Sequence, residues 1–311
     1  MDKIQSVVYD FKTEQDICDF IASCEERFFS QVDVAADTVL ASGKKFIALS
    51  GPTCSGKTTA SERICNEFLS RGIRVKTISI DDFYIDRNIL LERAKASGKP
   101  IDFDSPTTIN RELLAECVHR LRLGEVAELP HYSFVEGKCT SVTPFCGKDA
   151  DYFLFEGIQA IYPNVLDILG RDDVVSLAIR PATSLMVDGK LFSSHGLRFA
   201  RRLVRDFRYR SAAPEYTFYL WEGVRANEEL HILPHEDTLD FLIDSTMAYE
   251  PFVIRDYVMH YLSLVPKENR YYTQALTLMK EYATIPSISS DCVPDHSIFR
   301  EFIGQKDEPV L

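Results

Sequence analysis

No C-x-x-C pair occurs among the eight cysteines of this 311-residue chain, and their spacing fits no zinc-binding pattern. That excludes the common structural zinc modules. The chain is also too long to be a disulfide-stapled miniprotein. The cysteines are therefore expected as thiols, in a reducing, cytoplasmic compartment. No apolar run is long enough to cross a bilayer, and the first residues lack the apolar core of a secretory signal. Basic charge is scarce: 35 Lys and Arg stand against 47 Asp and Glu, a formal net charge of -12. Such a chain has no broad attraction for nucleic acid or an anionic membrane, and neither is expected as a partner. The N-K-x-D signature that reads guanine is absent, which weighs against a GTPase switch. There is no internal repeat and no low-complexity tract.

What is present is an alternation of elements. Ile17, Phe20, Ile21, Cys24, Phe28 and Val32 recur at helical spacing and predict a helical stretch over residues 13–41. Short apolar strands are predicted at residues 45–50, 75–80, 152–155, 174–179 and 241–243. Helical patterns fall between them, including residues 111–123 and 197–208. Strands alternating with helices predict an α/β fold, a P-loop-type parallel sheet with helices on both faces. Further helices are predicted at 252–264 and 272–282, and the polar stretch from 285 onward reads as a loosely attached extension. The expected organisation is an N-terminal helical extension (1–42), a catalytic domain (43–265) and a C-terminal helix and tail (266–311).

The strongest local signal is Gly51-Pro52-Thr53-Cys54-Ser55-Gly56-Lys57-Thr58, which fits G-x-x-x-x-G-K-[ST] without departure. An apolar strand enters it and a helix leaves it. Glycines let the backbone curl so that N–H groups face phosphate oxygens, and the helix N-terminus adds positive potential. Gly51, Thr53, Cys54, Ser55, Gly56, Lys57, Thr58 and Thr59 are the expected ATP-binding residues. Lys57 is expected to reach the β- and γ-phosphates and Thr58 to hold Mg2+. Cys54 reads either as a small spacer or as a thiol activated by the loop's positive field.

Acidic residues fall where strands end. Asp81 and Asp82 follow the second strand, and a carboxylate there points into the crevice beside the loop. Asp81 is placed to accept the proton of an attacking hydroxyl; Asp82 is a weaker candidate. Glu156 follows the third strand and is a candidate magnesium ligand. The Asp102–Pro106 segment, with Asp104, reads equally well as a turn. Arg198, Arg201, Arg202, Arg205, Arg208 and Arg210 form the densest basic segment of an acidic chain. Forked guanidinium donors suit phosphate, and Gly189 and Gly196 could hinge the helix as a lid over residues 185–215. His231 and His235 are separated by Pro234, which breaks the spacing for a shared metal.

Taken in order, these blocks resemble the uridine kinase and phosphoribulokinase group of P-loop kinases. Residues 51–59, 81–84, 104–106, 130–134 and 155–161, with Arg201-Arg202-Leu203-Val204-Arg205-Asp206, carry the resemblance. It implies an ATP- and Mg2+-dependent kinase acting on a small hydroxyl-bearing acceptor, with self-association left open. It further implies that Asp81 is the catalytic acid of D-x-F-Y, working with Lys57 and Arg205. Asp104 would hold substrate hydroxyls, with Asp82, Tyr84, Tyr132 and Phe134 around the acceptor. Glu156 would be the magnesium-associated acid, and Arg202, Arg205 and Arg210 would be lid positions near phosphates. The departures bear on the acceptor. Uridine kinases typically carry P-x-Y-D-F-x-x-H-x-R; here Ser133 replaces the acid, Gly137 the base-reading histidine and Cys139 the arginine, and Ala212 stands where the lid's second arginine would be. Losing such donors costs uridine affinity on the order of 1–3 kcal/mol per buried hydrogen bond. The resemblance is therefore to a divergent branch that includes nucleoside kinases and bacterial myo-inositol kinases. Uridine or cytidine phosphorylation is the second reading, and a nucleotide-binding switch or pseudoenzyme the third.

Overall fold

A computed structural model describes residues 3–98 and 103–306. In chain order the elements are β1 (Lys3–Val7), α1 (Glu14–Ser42), β2 (Phe46–Ser50), α2 (Lys57–Ser70), β3 (Val75–Ser79), α3 (Arg87–Ser97) and α4 (Arg111–Leu123). They continue with β4 (Val126–Ser133), β5 (Lys138–Cys146), β6 (Tyr152–Glu156), α5 (Pro163–Leu169), β7 (Val174–Arg180), β8 (Thr183–Val187) and β9 (Lys190–Phe192). The rest are α6 (Ser194–Arg210), α7 (Pro214–His231), β10 (Phe241–Asp244), α8 (Glu250–Ser263), α9 (Tyr272–Tyr282) and α10 (Arg300–Ile303).

The apolar strands assemble into a five-stranded sheet of order β10-β7-β2-β6-β3, with every pairing parallel. β2 is buried along its whole length, because helices cover both faces of the sheet. Leu49 and Ser79 both pair with Glu156, so β2, β3 and β6 end at one level. The segments leaving these strands therefore share one crevice at the carboxyl edge of the sheet, where parallel α/β sheets bind ligands.

The predicted N-terminal helix is one 29-residue element, begun by a reciprocal cap in which Thr13 Oγ1 accepts from Asp16 N and the Asp16 carboxylate accepts from Thr13 N. Its apolar stripe, including Phe28, Val32 and Val39, is buried in the same core cluster as α2 and α8. The first 42 residues also carry β1, which pairs parallel with β8, itself paired with β9. The β4–β5 hairpin is a separate two-stranded sheet. Among the described residues no helix is long and apolar enough to cross a membrane.

Several expectations give way here. In the stretch expected as a lid, β8 and β9 form a hairpin against β1, and α6 is buried throughout residues 197–206. Its arginines tolerate burial because each meets acceptors: Arg198 pairs with Glu228, Arg201 with Glu250, and Arg202 and Arg205 with Asp206. The tail is not loosely attached. Ile285, Val293, Ile298, Phe299 and Phe302 are buried in the main core, and burying an aromatic or branched side chain contributes about 1.5–3 kcal/mol. Residues 307–311 lie outside the described residues, as does Asp102. Finally, Cys18 of α1 and Cys292 of the tail form a disulfide, with Cα atoms 5.1 Å apart, while the other six cysteines are free. A reducing compartment is therefore not read from the cysteines.

Candidate active site

The loop between β2 and α2 curls around a cavity of about 310 Å³. Gly51 is required by close approach: a Cβ there would stand 2.5 Å from Ser55 Oγ and 2.8 Å from the Ile179 carbonyl oxygen. Cys54 itself adopts the left-handed region, at φ 61°. α2 starts at Lys57, so its unpaired N–H groups and dipole point toward the cavity. Ser55 Oγ is buried there with no hydrogen-bond partner in the protein. An orphaned buried hydroxyl beside a ring of backbone donors fits a ligand bearing several oxygens, and the site fits a polyphosphate.

Lys57 Nζ lies 3.2 Å from Glu156 Oε2. Asp81 lines the same cavity as the loop. Burial raises its pKa above the ordinary carboxylate range; Glu156, Asp104 and Asp82 push it the same way, and Lys57 opposes them. Arg205 of α6 reaches across the loop, its Nη2 donating to Thr53 Oγ1 at 3.2 Å. Arg210 lines the cavity from the same helix. Arg201 is wholly buried and donates to the Cys54 carbonyl at 3.4 Å, to the Ser245 carbonyl at 2.7 Å and to Glu250 at 2.6 and 2.9 Å. It supports the loop from beneath. The activated-thiol reading of Cys54 gives way: burial pushes its pKa up and outweighs the pull of Arg205.

Among the described residues no group of three or more His, Cys, Asp or Glu side chains could hold a metal. A magnesium ion at Thr58 and Glu156 would therefore take most of its oxygen ligands from phosphate and water, as this ion ordinarily does in such sites. The donor set fits that role.

A neighbouring cavity of about 240 Å³ shares Thr53, Asp104 and Ile158 with the first. Its remaining wall includes Tyr162, Arg202 and Asn227. Asp104 is held by local architecture. The Gln159 amide, wholly buried, donates to the carbonyls of Phe103 and Ser105 and so pins the turn that carries the acid. Asn227 Nδ2 then donates to Asp104 Oδ2 at 3.2 Å.

The structure thus brings together the loop residues, Lys57, Asp81, Asp104, Glu156, Arg205 and Arg210. Tyr84 also lines the phosphate cavity, its hydroxyl donating to the Phe103 carbonyl at 2.9 Å. Asp82 is engaged elsewhere, accepting from Tyr132 N at 2.9 Å and so anchoring the β4–β5 hairpin. Tyr132 and Phe134 pack on Tyr84, at ring separations of 5.6 Å each, but line neither cavity. Thr59 lines not the phosphate cavity but a groove that shares Glu301 with it. His231 lies against Tyr162. Asn227 and Glu301 were not foreseen: each is a single polar residue on a helix, with no motif around it.

Gly137 explains one departure from the uridine kinase pattern. It sits in the hairpin turn at φ 73°, and a Cβ there would meet the Arg87 side chain at 2.8 Å. A histidine at this position has neither the backbone conformation nor the space.

A doubly wound parallel sheet whose first helix follows a phosphate-curling loop defines a P-loop fold. The sequence model of the phosphoribulokinase / uridine kinase family matches residues 46–248, and the chain belongs to that family. It is 29% identical over 206 residues to uridine kinase of Saccharomyces cerevisiae, covering 64% of this chain and 36% of that protein. It is 31% identical over 176 residues to uridine kinase of Pasteurella multocida, covering 54% and 70%. The chain spans about a third of the length of the first yeast and plant relatives it matches. A solved structure of a candidate fructose transport system kinase from Silicibacter sp. TM1040 superposes with a TM-score of 0.50 at 18% identity, covering 68% of this chain and 98% of that one. That likeness concerns the fold alone.

Proposed function

We propose that the protein is a kinase that moves the γ-phosphoryl group of Mg·ATP to a hydroxyl of a small polyhydroxylated metabolite, a cyclic polyol such as myo-inositol or a nucleoside. One observation carries the reading. A single cavity is lined by the phosphate-curling loop, Arg205, Asp81 and Asp104. That juxtaposition suits phosphoryl transfer, which needs charge neutralised around the moving group and an acid at the attacking oxygen.

Bound Mg·ATP would supply the phosphoryl group. The loop amides, Lys57 and Arg205 hold and neutralise phosphate oxygens. Thr58 and Glu156 would hold the metal. Asp81 orients the acceptor hydroxyl and takes its proton, and its burial raises its basicity. Asp104, fixed by Gln159 and Asn227, accepts from other acceptor hydroxyls.

The acceptor preference follows from what the pocket offers. Asp104, Asn227 and Arg202 supply hydroxyl-binding groups around the smaller cavity. Position 137, where uridine kinases read the base, has no side chain. This favours a compact polyol over strict pyrimidine readout; the uridine kinase relatives keep the nucleoside as the second candidate.

The test is ADP release measured with inositols, sugars and nucleosides as acceptors. Strong stimulation by one class identifies it. Slow ATP hydrolysis, indifferent to every acceptor and to Asp81→Asn, would replace the kinase by a nucleotide switch or pseudoenzyme. With an acceptor in hand, Asp104→Ala should raise the acceptor's KM roughly 10- to 100-fold, as expected for loss of a charged hydrogen bond, and leave the KM of ATP within about threefold. Equal change in both would make Asp104 a structural residue.

A further inference from the structure

The phosphate cavity is lined by three cations, Lys57, Arg205 and Arg210, and by three acids, Asp81, Asp104 and Glu301. Given the kinase reading, on which this inference rests, Asp81 and Asp104 serve the acceptor hydroxyls. Glu301 serves neither the acceptor nor the metal. A carboxylate in a cavity that receives a polyphosphate repels its ligand, so its presence there calls for a physical account.

Glu301 is held where it stands. It lies on α10 between Phe299 and Phe302, which are wholly buried. The neighbouring Arg300 guanidinium donates to the carbonyls of Ser290 and Gly304, each at 3.0 Å, and ties the irregular tail to this short helix. Ile298 packs on the phosphate loop, since a Cβ at Gly56 would stand 3.2 Å from it. From this base Glu301 Oε1 accepts from Arg205 Nη1 at 3.3 Å. Two roles are open to such a contact: it orients the guanidinium, or it competes for it. Orientation is already provided. Asp206, with a side chain 3% exposed, accepts from Arg205 Nε at 3.1 Å and Nη2 at 3.0 Å, and Nη2 also donates to Thr53 Oγ1 at 3.2 Å. Those contacts use the single hydrogen of Nε and both of Nη2. The donors left for a phosphate oxygen are on Nη1, the nitrogen that Glu301 meets. The Glu301 side chain is 34% exposed, so as an orienting ion pair it contributes little. Its charge remains inside the cavity.

We propose that Glu301 is an internal counter-ion that competes with the phosphates of the donor for Nη1 of Arg205. It lowers the affinity of the cavity for polyphosphate and so helps the spent diphosphate to leave. Glu301 lies outside the family-matching residues 46–248, so the device belongs to this chain's C-terminal segment.

Glu301→Gln tests this, because it keeps the length of the side chain and an acceptor oxygen but removes the charge. Calorimetric titration at low salt should show the variant binding Mg·tripolyphosphate and Mg·ADP roughly 5- to 10-fold more tightly than the parent. The gain should shrink as salt rises, since a part-exposed charge is screened. Glu301→Ala should act in the same direction, and unchanged melting curves would confirm that both variants fold. In an Arg205→Gln background the Glu301→Gln gain should fall to about twofold or less, because the contested cation is gone. Unchanged or weaker binding by the single variants would overturn the proposal and make Glu301 a bystander or a support for Arg205. A full gain surviving without Arg205 would overturn the competition as well. Tighter polyphosphate binding with no acceptor that stimulates ADP release would uphold the counter-ion and sink the kinase reading. If the parent and both variants bind no polyphosphate, the two fall together.

Discussion

Asp81→Asn is expected to lower kcat by about three orders of magnitude, ~4 kcal/mol of transition-state stabilisation, while the Kd of Mg·ATP changes by less than roughly threefold. The amide keeps the shape of the carboxylate but cannot take a proton. The carboxylate is suited to that task. Burial raises its pKa, which brings its proton affinity closer to what an alcohol nucleophile requires. The positive charge of Lys57 opposes that shift and favours the ionised form. Steady-state turnover and calorimetric ATP titration of the same preparation separate the two effects. Parallel loss of turnover and of ATP binding would show that Asp81 shapes the site instead of acting on the acceptor.

Glu250→Ala is expected to destabilise the protein by about 3–5 kcal/mol, because it strands the Arg201 guanidinium in the core. Arg201 is 0% exposed and Glu250 1%, so water cannot take over the lost contact. In a chain of this size the melting temperature should fall on the order of 10 °C. ATP affinity should fall with it, since the same guanidinium donates to the Cys54 carbonyl inside the phosphate loop. The double variant Arg201→Met, Glu250→Leu removes both charges and should recover much of the stability but not the loop geometry. Thermal and denaturant melts read the first effect and nucleotide titration the second. A Glu250→Ala protein that melts within a degree of the parent would mean the pair contributes nothing net.

The sheet and the phosphate loop were legible because both depend on local pattern. Phe46-Ile47-Ala48-Leu49 is an apolar run too short for a helix and is followed by glycine-framed turn chemistry, which leaves few alternatives. Asp81 and Glu156 could be placed for the same reason: each follows a strand that the pattern identifies. The burial of the α6 arginines could not be read: their run suggested a lid over phosphate, and only the partners explain an inner helix. Glu228, Glu250 and Glu301 lie 30, 49 and 96 residues from the arginines they meet. The tail was misjudged because Ile285, Val293, Ile298 and Phe302 follow no helical or strand period; they are buried one at a time by an irregular path. The β4–β5 hairpin escaped notice because Pro130 and Pro144 interrupt its strands, and proline argues against strand pairing. Asn227 and Asp104 meet across 123 residues, a separation that no local spacing encodes.

Ile298 rests on Gly56, and Glu301 reaches the arginine that spans the loop. The order of synthesis gives this contact a meaning of its own. The loop emerges from the ribosome early, and the parallel strands around it can associate as they follow. The residues that brace it are translated long afterwards. Until residue 301 has been made, the loop lacks both of these contacts.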